Sequence, residues 1–234
     1  MRSSDLPLRL APRGLPRRAP AWLRAGALLA VMGWTLAQSG LERAQALALQ
    51  RYGQAGAETV AGWRRLLEES RQLGEGDKLG AVNGFFNRRI RYASDLQTWG
   101  QAEYWATPLE LMGRAQGDCE DYAIAKYLSL LLLGVPAEKL RLIYVRARLG
   151  QSGGSEAHMV LGYYAEPAGE PLILDSLAAA IRPASARPDL APVFSFNTQG
   201  LWVPGTAVVA TDPSARLSRW RDVLERIQAD GMQP

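Results

Sequence analysis

The chain has 234 residues and carries 27 Lys and Arg against 23 Asp and Glu, a formal charge of +4. Residues 1–24 alone hold six arginines (Arg2, Arg9, Arg13, Arg17, Arg18, Arg24) and one acid, Asp5, which is +5; the remaining 210 residues then hold 21 basic and 22 acidic groups, or −1. A nearly neutral body excludes a basic nucleic-acid-binding surface, and 47% hydrophobic with 21% charged residues excludes a chain that is disordered throughout.

The length suits one domain of roughly 150–180 residues with an appendage. After the arginines, Ala25 to Ala37 run without a charge. These thirteen residues are short for a membrane span, which needs about 20. A basic head, a short apolar core and a following small-residue site read as an export signal. Two sites fit, one after Ala37 and one after Ala46. An uncleaved anchor or a buried helix would use the same pattern. The expected organisation is therefore an export signal and linker over 1–46, then one domain over 47–234, placed in the periplasm.

Within the domain, apolar residues at Val60, Trp63, Leu66, Leu67 and Leu73 predict a helix over Glu58–Leu73. Leu79, Val82, Phe85, Phe86 and Ile90 predict a second over Asp77–Ile90, with Gly74 and Gly76 breaking the two apart. Residues 91–117 read as a long irregular stretch. Its aromatic side chains Trp99, Tyr104 and Trp105 are candidates for a pocket wall as much as for core. Asp118–Leu133 reads as a strong helix stopped by Gly134. Leu140–Arg148, Ala157–Tyr164 and Pro171–Asp175 read as strands, with a glycine-rich turn at 151–156 and a loop at 165–170. A proline-rich stretch spans 183–192, and an amphipathic helix closes the chain over Ser214–Ala229. Helices followed by an antiparallel sheet make an α+β fold.

The chain has a single cysteine, Cys119, and a single histidine, His158. That forbids an internal disulfide and leaves almost no room for a zinc site of Cys and His ligands. An unpaired cysteine in an exported protein is either a spare buried residue or a functional thiol. Cys119 opens its helix, where unpaired N–H groups favour a thiolate, and Gly117 lets the preceding backbone turn tightly. If the two strands flanking loop 165–170 pair symmetrically, Tyr164 faces Pro171 and Val160 faces Asp175. His158, two residues from Val160 on the same face, then lies diagonal to Asp175, within reach of a hydrogen bond. Thiol, imidazole and carboxylate in that order form a nucleophile–base–acid set.

Asp118, Glu120 and Asp121 crowd the thiol, and nearby carboxylates raise a thiol pKa. Helix capping accounts for such acids; so does a bound hard cation such as calcium, which takes carboxylate oxygens and cancels the repulsion.

The segments Tyr104–Pro108, Gly117–Tyr122 (GDCEDY), Ala157–Leu161 (AHMVL) and Leu174–Asp175 resemble those of the bacterial transglutaminase-like cysteine proteinases, the LapG-type periplasmic proteases, from about residue 77 to 202. The resemblance implies a papain-like, transglutaminase-like fold with the nucleophile at the N-terminus of a central helix packed on the sheet. It implies Cys119 as nucleophile, His158 as base and Asp175 as orienting acid. Asp118 and Glu120 match calcium-binding acids, with Asp121 a further candidate. It also implies two partners: a large surface adhesin, cut in its N-terminal region at small residues, and an inner-membrane cyclic-di-GMP receptor that sequesters the protease and so retains the biofilm. Two other readings stay open on the residues alone: a transglutaminase-like acyltransferase with the same three residues, and an exported binding module without catalysis.

Overall fold

A computed structural model describes residues 21–148, 154–204, 213 and 217–232, with side chains from Ser39 onward. Residues 1–20 of the arginine-rich head, residues 151–153 of the glycine-rich turn and residues 214–216 lie outside the described residues. The chain divides into two compact units, Met1–Leu36 and Ala37–Pro234. Leu41, Ala44 and Ala48 are buried in the core of the second. Among the described residues no helix is long and apolar enough to cross a membrane.

Helix α1 (Ala21–Ser70) contains a non-helical residue, Gly53, whose φ of 70° is one that glycine adopts without strain. Its C-terminal part buries Val60, Trp63 and Leu67, three of the residues that predicted the first helix. Helix α2 (Glu75–Arg89) starts on Glu75 and Asp77 and ends on Arg88 and Arg89, which suits the helix dipole at both ends. The stretch expected to be irregular is in fact structured. It contains β1 (Arg91–Tyr92), α3 (Asp95–Trp99), α4 (Pro108–Arg114) and β2 (Gln116–Gly117), with β1 and β2 paired in parallel. Helix α4 carries a capping box, Thr107 with Glu110, and Pro108 at its first position. These elements are too short to show a hydrophobic period, so only their caps could have signalled them.

Helix α5 (Cys119–Leu132) is the centre of the fold and is buried from Tyr122 to Leu130. Trp63 Nε1 donates to Ser129 Oγ at 2.8 Å, joining α1 to α5 inside the core. The helix ends in a Schellman motif: Val135 N–H bonds Leu130 O at 2.9 Å, Gly134 N–H bonds Leu131 O at 2.8 Å, and Gly134 has φ 80°.

An antiparallel sheet packs on α5. Its strands are β3 (Leu140–Arg148), β4 (Ser155–Tyr163), β5 (Leu172–Leu174), β6 (Arg182–Pro183), β7 (Leu190–Phe196) and β8 (Leu201–Trp202), in the order β6-β5-β4-β3-β7-β8. Half of these strands were not predicted. Strand β7 was hidden because Pro192 interrupts it. Proline cannot donate to the ladder, and the register against β3 shifts at that point, between Tyr144 and Val145. The pairs Leu161–Leu174 and Tyr163–Leu172 are those of the symmetric register expected around loop 165–170. One face of the sheet meets the helices through Leu142, Leu161 and Phe196. The other carries a smaller cluster of Ile143, Val145, Val160 and Ile173. The closing helix, α6 (Ser218–Ala229), begins four residues later than its pattern suggested and buries Trp220, Val223 and Ile227.

Candidate active site

The start of α5 is built from the acid at its third position. Asp121 is fully buried. Its Oδ1 accepts from Ala106 N–H at 2.7 Å and its Oδ2 from Asp118 N–H at 3.3 Å. The carboxylate thus ties the helix start to the chain ahead of α4. Gly117 matters here for closeness, not for a tight turn: a Cβ on it would meet Asp121 Oδ2 and Leu111 Cδ1, each at 2.5 Å. The left-handed residue of this segment is Ala115, with φ 52°.

Cys119 follows at the first helical position, on the wall of a cleft of about 670 Å³. His158 and Met159, Tyr92, Trp105, Tyr144 and Phe194 line the same cleft. The thiol donates to Glu120 Oε2 at 2.9 Å and accepts a hydrogen bond from Met159 N–H. Tyr92 also hydrogen-bonds the sulfur. Burial, then the charge of Glu120, pushes the thiol pKa far up. The helix terminus alone does not offset that, contrary to the expectation from position.

Strand β4 brings His158 to the cleft opposite Val145 of β3. Its Nε2 lies 2.8 Å from Asp175 Oδ1, and both side chains are about 1% exposed. Asp175 Oδ1 also accepts from Leu177 N–H at 3.0 Å, and Oδ2 accepts from Arg187 Nη2 at 2.8 Å. Burial would raise this carboxyl, but the bonds from His158, Leu177 and Arg187 outweigh it and hold it well below the usual carboxylate range. With Nε2–H committed to Asp175, Nδ1 is the imidazole nitrogen left to take a proton.

Three carboxylates converge beside the thiol: Asp95, Asp118 and Glu120, each with an oxygen within 4.8 Å of the others. Two such charges repel by about 3 kcal/mol at a protein-like screening. Burial and the neighbouring acids push Asp95 up to about 6 and Asp118 up to about 9. Asp95 Oδ1 and Asp118 Oδ1 are buried with no hydrogen-bond partner. Orphaned carboxylate oxygens that face one another are what a hard cation takes up. Asp121 lies outside this group, both its oxygens bound to backbone. Asp95 was not singled out from sequence, because an acid after Ser94 at the start of a short helix looks like any helix-starting acid.

Of the three aromatic candidates, Trp105 lines the cleft and stacks on Phe196 with ring centres 5.9 Å apart. Trp99 and Tyr104 stand beside it, 4.7 Å apart, and the Tyr104 N–H donates to Asp95 Oδ2 at 2.6 Å.

A buried imidazole–carboxylate pair, a thiol at a helix start and an open cleft between them can carry out acyl transfer. Comparison with known proteins points the same way. Residues 61–189 match the family described as bacterial transglutaminase-like cysteine proteinase. The solved structure of LapG from Legionella pneumophila is 40% identical with a TM-score of 0.67, over 80% of this chain and 97% of that one. A calcium-bound LapG of the same organism is 39% identical (TM-score 0.68, 80% and 98% covered), and an EGTA-treated one is 39% identical (TM-score 0.69, 80% and 97% covered). A search of curated proteins gives no match.

Proposed function

The chain belongs to the bacterial transglutaminase-like cysteine proteinase family, and from that premise we propose that it is a calcium-dependent periplasmic endopeptidase working through Cys119, His158 and Asp175. The observation that carries this reading is the buried His158–Asp175 bond on the wall of the cleft that also holds Cys119.

His158 Nδ1 takes the thiol proton as sulfur attacks a peptide carbonyl, and returns it to the leaving amine. Water, activated by the same nitrogen, then hydrolyses the thioester. Asp175 keeps the tautomer and steadies the imidazolium. The Cys119 N–H, at the helix start, is one donor to the oxyanion. Trp105, Tyr144 and Phe194 offer an apolar wall to the substrate.

Asp95, Asp118 and Glu120 would hold calcium, and the orphaned oxygens of the first two support that fit. Bound there, the ion supplies positive charge next to the thiol, which favours the thiolate. Glu120 accepts a hydrogen bond from the thiol at 2.9 Å; a Glu120 carboxylate that helped to hold calcium would compete less for that proton and leave it to His158. The solved calcium-bound and EGTA-treated LapG forms support a calcium site in the family.

The arginine-rich head supports export to the periplasm. The resemblance to LapG-type proteases supports the N-terminal region of a large surface adhesin as substrate, cut at small residues. It likewise supports a cyclic-di-GMP receptor of the inner membrane as the sequestering partner, and so control of adhesin release and biofilm.

The test is incubation of the chain with the purified N-terminal fragment of a giant repeat adhesin from the same genome, followed by gel and mass analysis. Two fragments in calcium, none in EGTA and none with Cys119→Ala are expected. An amine adduct or cross-link in place of fragments would make it an acyltransferase. Cleavage by Cys119→Ala would remove the thiol from the mechanism, and an inert wild-type chain would favour a binding module.

A further inference from the structure

We propose that Arg187 is a positioning residue for the His158–Asp175 pair, acting through Asp175 from outside the cleft. The inference rests on the peptidase reading of Cys119, His158 and Asp175.

Asp175 is an ionised carboxylate, 1% exposed, and its two oxygens have different duties. Oδ1 serves His158 Nε2 and Leu177 N–H, while Oδ2 has one partner, Arg187 Nη2 at 2.8 Å. A buried charged oxygen without a partner is costly. Without Arg187 the carboxylate would turn to share its remaining donors between both oxygens. That rotation would pull Oδ1 out of line with the imidazole. The guanidinium therefore decides which oxygen faces histidine.

Arg187 can do so because it is itself held. Its Nε and Nη2 donate to Asp189 Oδ1 and Oδ2 at 3.0 and 2.7 Å. Its backbone N–H bonds Ala184 O at 2.9 Å, and Arg148 N–H bonds Asp189 O at 2.9 Å, which ties the clamp to β3. A planar guanidinium bridging two carboxylates has a fixed orientation; a lysine ammonium in its place could carry the charge but not the plane. Lys126, the other cation near Asp175, gives its hydrogen bond to Asn83 Oδ1 at 2.8 Å and leaves the carboxylate to Arg187.

Arg187 itself does not line the cleft. It lines a cavity of about 610 Å³ with Val145, Val160, Ile173 and Leu190, and only Phe194 borders both spaces. A residue acting only on the imidazole from there should change turnover and leave substrate binding alone.

The chain has one histidine, so the Nε2 proton of His158 gives a single downfield imidazole NMR resonance that can be read without any substrate. In Arg187→Met, kcat should fall about ten- to a hundred-fold, less than the ~10⁴-fold cost of losing an orienting acid. KM should stay unchanged and the resonance should move or broaden. Arg187→Lys, which keeps the charge but not the plane, should recover only part of kcat and put the resonance between those of wild type and Arg187→Met, a graded link between resonance and kcat that a merely structural role would not predict. If Arg187→Met does not fold, Asp189→Asn, which loosens the clamp without removing it, should give the same pattern at smaller amplitude. A folded Arg187→Met or Asp189→Asn variant with wild-type kcat and an unmoved resonance overturns the proposal. A wild-type chain that cleaves nothing, with a resonance that still moves in Arg187→Met, overturns the peptidase reading and leaves the clamp standing.

Discussion

His158 Nε2 and Asp175 Oδ1 meet at 2.8 Å across two strands, in a place where neither side chain touches solvent. The separation is 17 residues in sequence, and a short hairpin closes it. Sheltered from water, the bond to an ionised carboxylate fixes one ring tautomer and leaves Nδ1 as the nitrogen that can take a proton. Asp175→Asn preserves shape but replaces a charged, acceptor-only carboxylate with a neutral amide that can also donate, so the tautomer is no longer fixed. It should lower kcat by about 10⁴-fold with little change in KM. Steady-state kinetics on a cleaved peptide check it; a loss under tenfold would remove Asp175 from the mechanism.

Asp95 and Asp121 make a contrasting pair. Asp95 has a buried oxygen without a partner beside Asp118 and Glu120, whereas both Asp121 oxygens accept backbone N–H groups. Asp95→Asn should weaken calcium binding at least tenfold in titration calorimetry, with only a small change in unfolding midpoint in EGTA. Asp121→Asn should cost stability, about 1–3 kcal/mol for a buried acceptor lost. The reverse pattern would move the calcium ligand to Asp121.

Gly117→Ala should be damaging in calcium and in EGTA alike, because the added methyl meets Asp121 and Leu111 at 2.5 Å inside a packed region. Overpacking of this kind costs about 1–3 kcal/mol. Gly80→Ala, in an exposed part of α2 with nothing within 4 Å, should instead stabilise by about 0.5–1 kcal/mol. Urea unfolding of the two variants measures the difference.

Lys126 predicts a pH dependence of stability. Burial pulls its pKa down from 10.5 to about 7, with Asp175 opposing. The unfolded chain therefore binds this proton between about pH 7 and 10.5 while the folded chain does not. Stability rises with pH wherever the unfolded state holds more protons. The penalty for the buried charge is thus full below pH 7 and gone above 10.5. Denaturant unfolding at pH 7 and pH 9 should show a rise in wild type that is reduced in Lys126→Met. Equal slopes in both would place the titration elsewhere.

Much of the layout is legible in sequence where a period is long enough. Helix α5 has a glycine stop, strands β3 and β4 have unbroken aliphatic runs, and the loop at 165–170 sets a register that the structure also has. Strand β7 is not legible, because Pro192 breaks its pattern and the partner strand absorbs the break with a register shift. The segment 91–117 is not legible either, since α3 and α4 are five and seven residues long. Trp105, Trp99 and Tyr104 look alike in sequence; only packing separates the cleft wall from its support.

Sequence alone determined which chemistry was available: one thiol at a helix start, one imidazole on a strand, and acids crowding the thiol. Those are local facts, set by residue type and by short-range periodicity. Only tertiary structure decided which acids converge. Asp95, more than twenty residues before Glu120, joins the carboxylate group, while Asp121, next to Glu120, is drawn into the backbone. Only tertiary structure brought Arg187 to Asp175 across the turn after β6. The reason is physical: capping and strand pairing act between neighbours, whereas a charge site is set by whichever buried oxygens and cations the packed chain leaves facing one another.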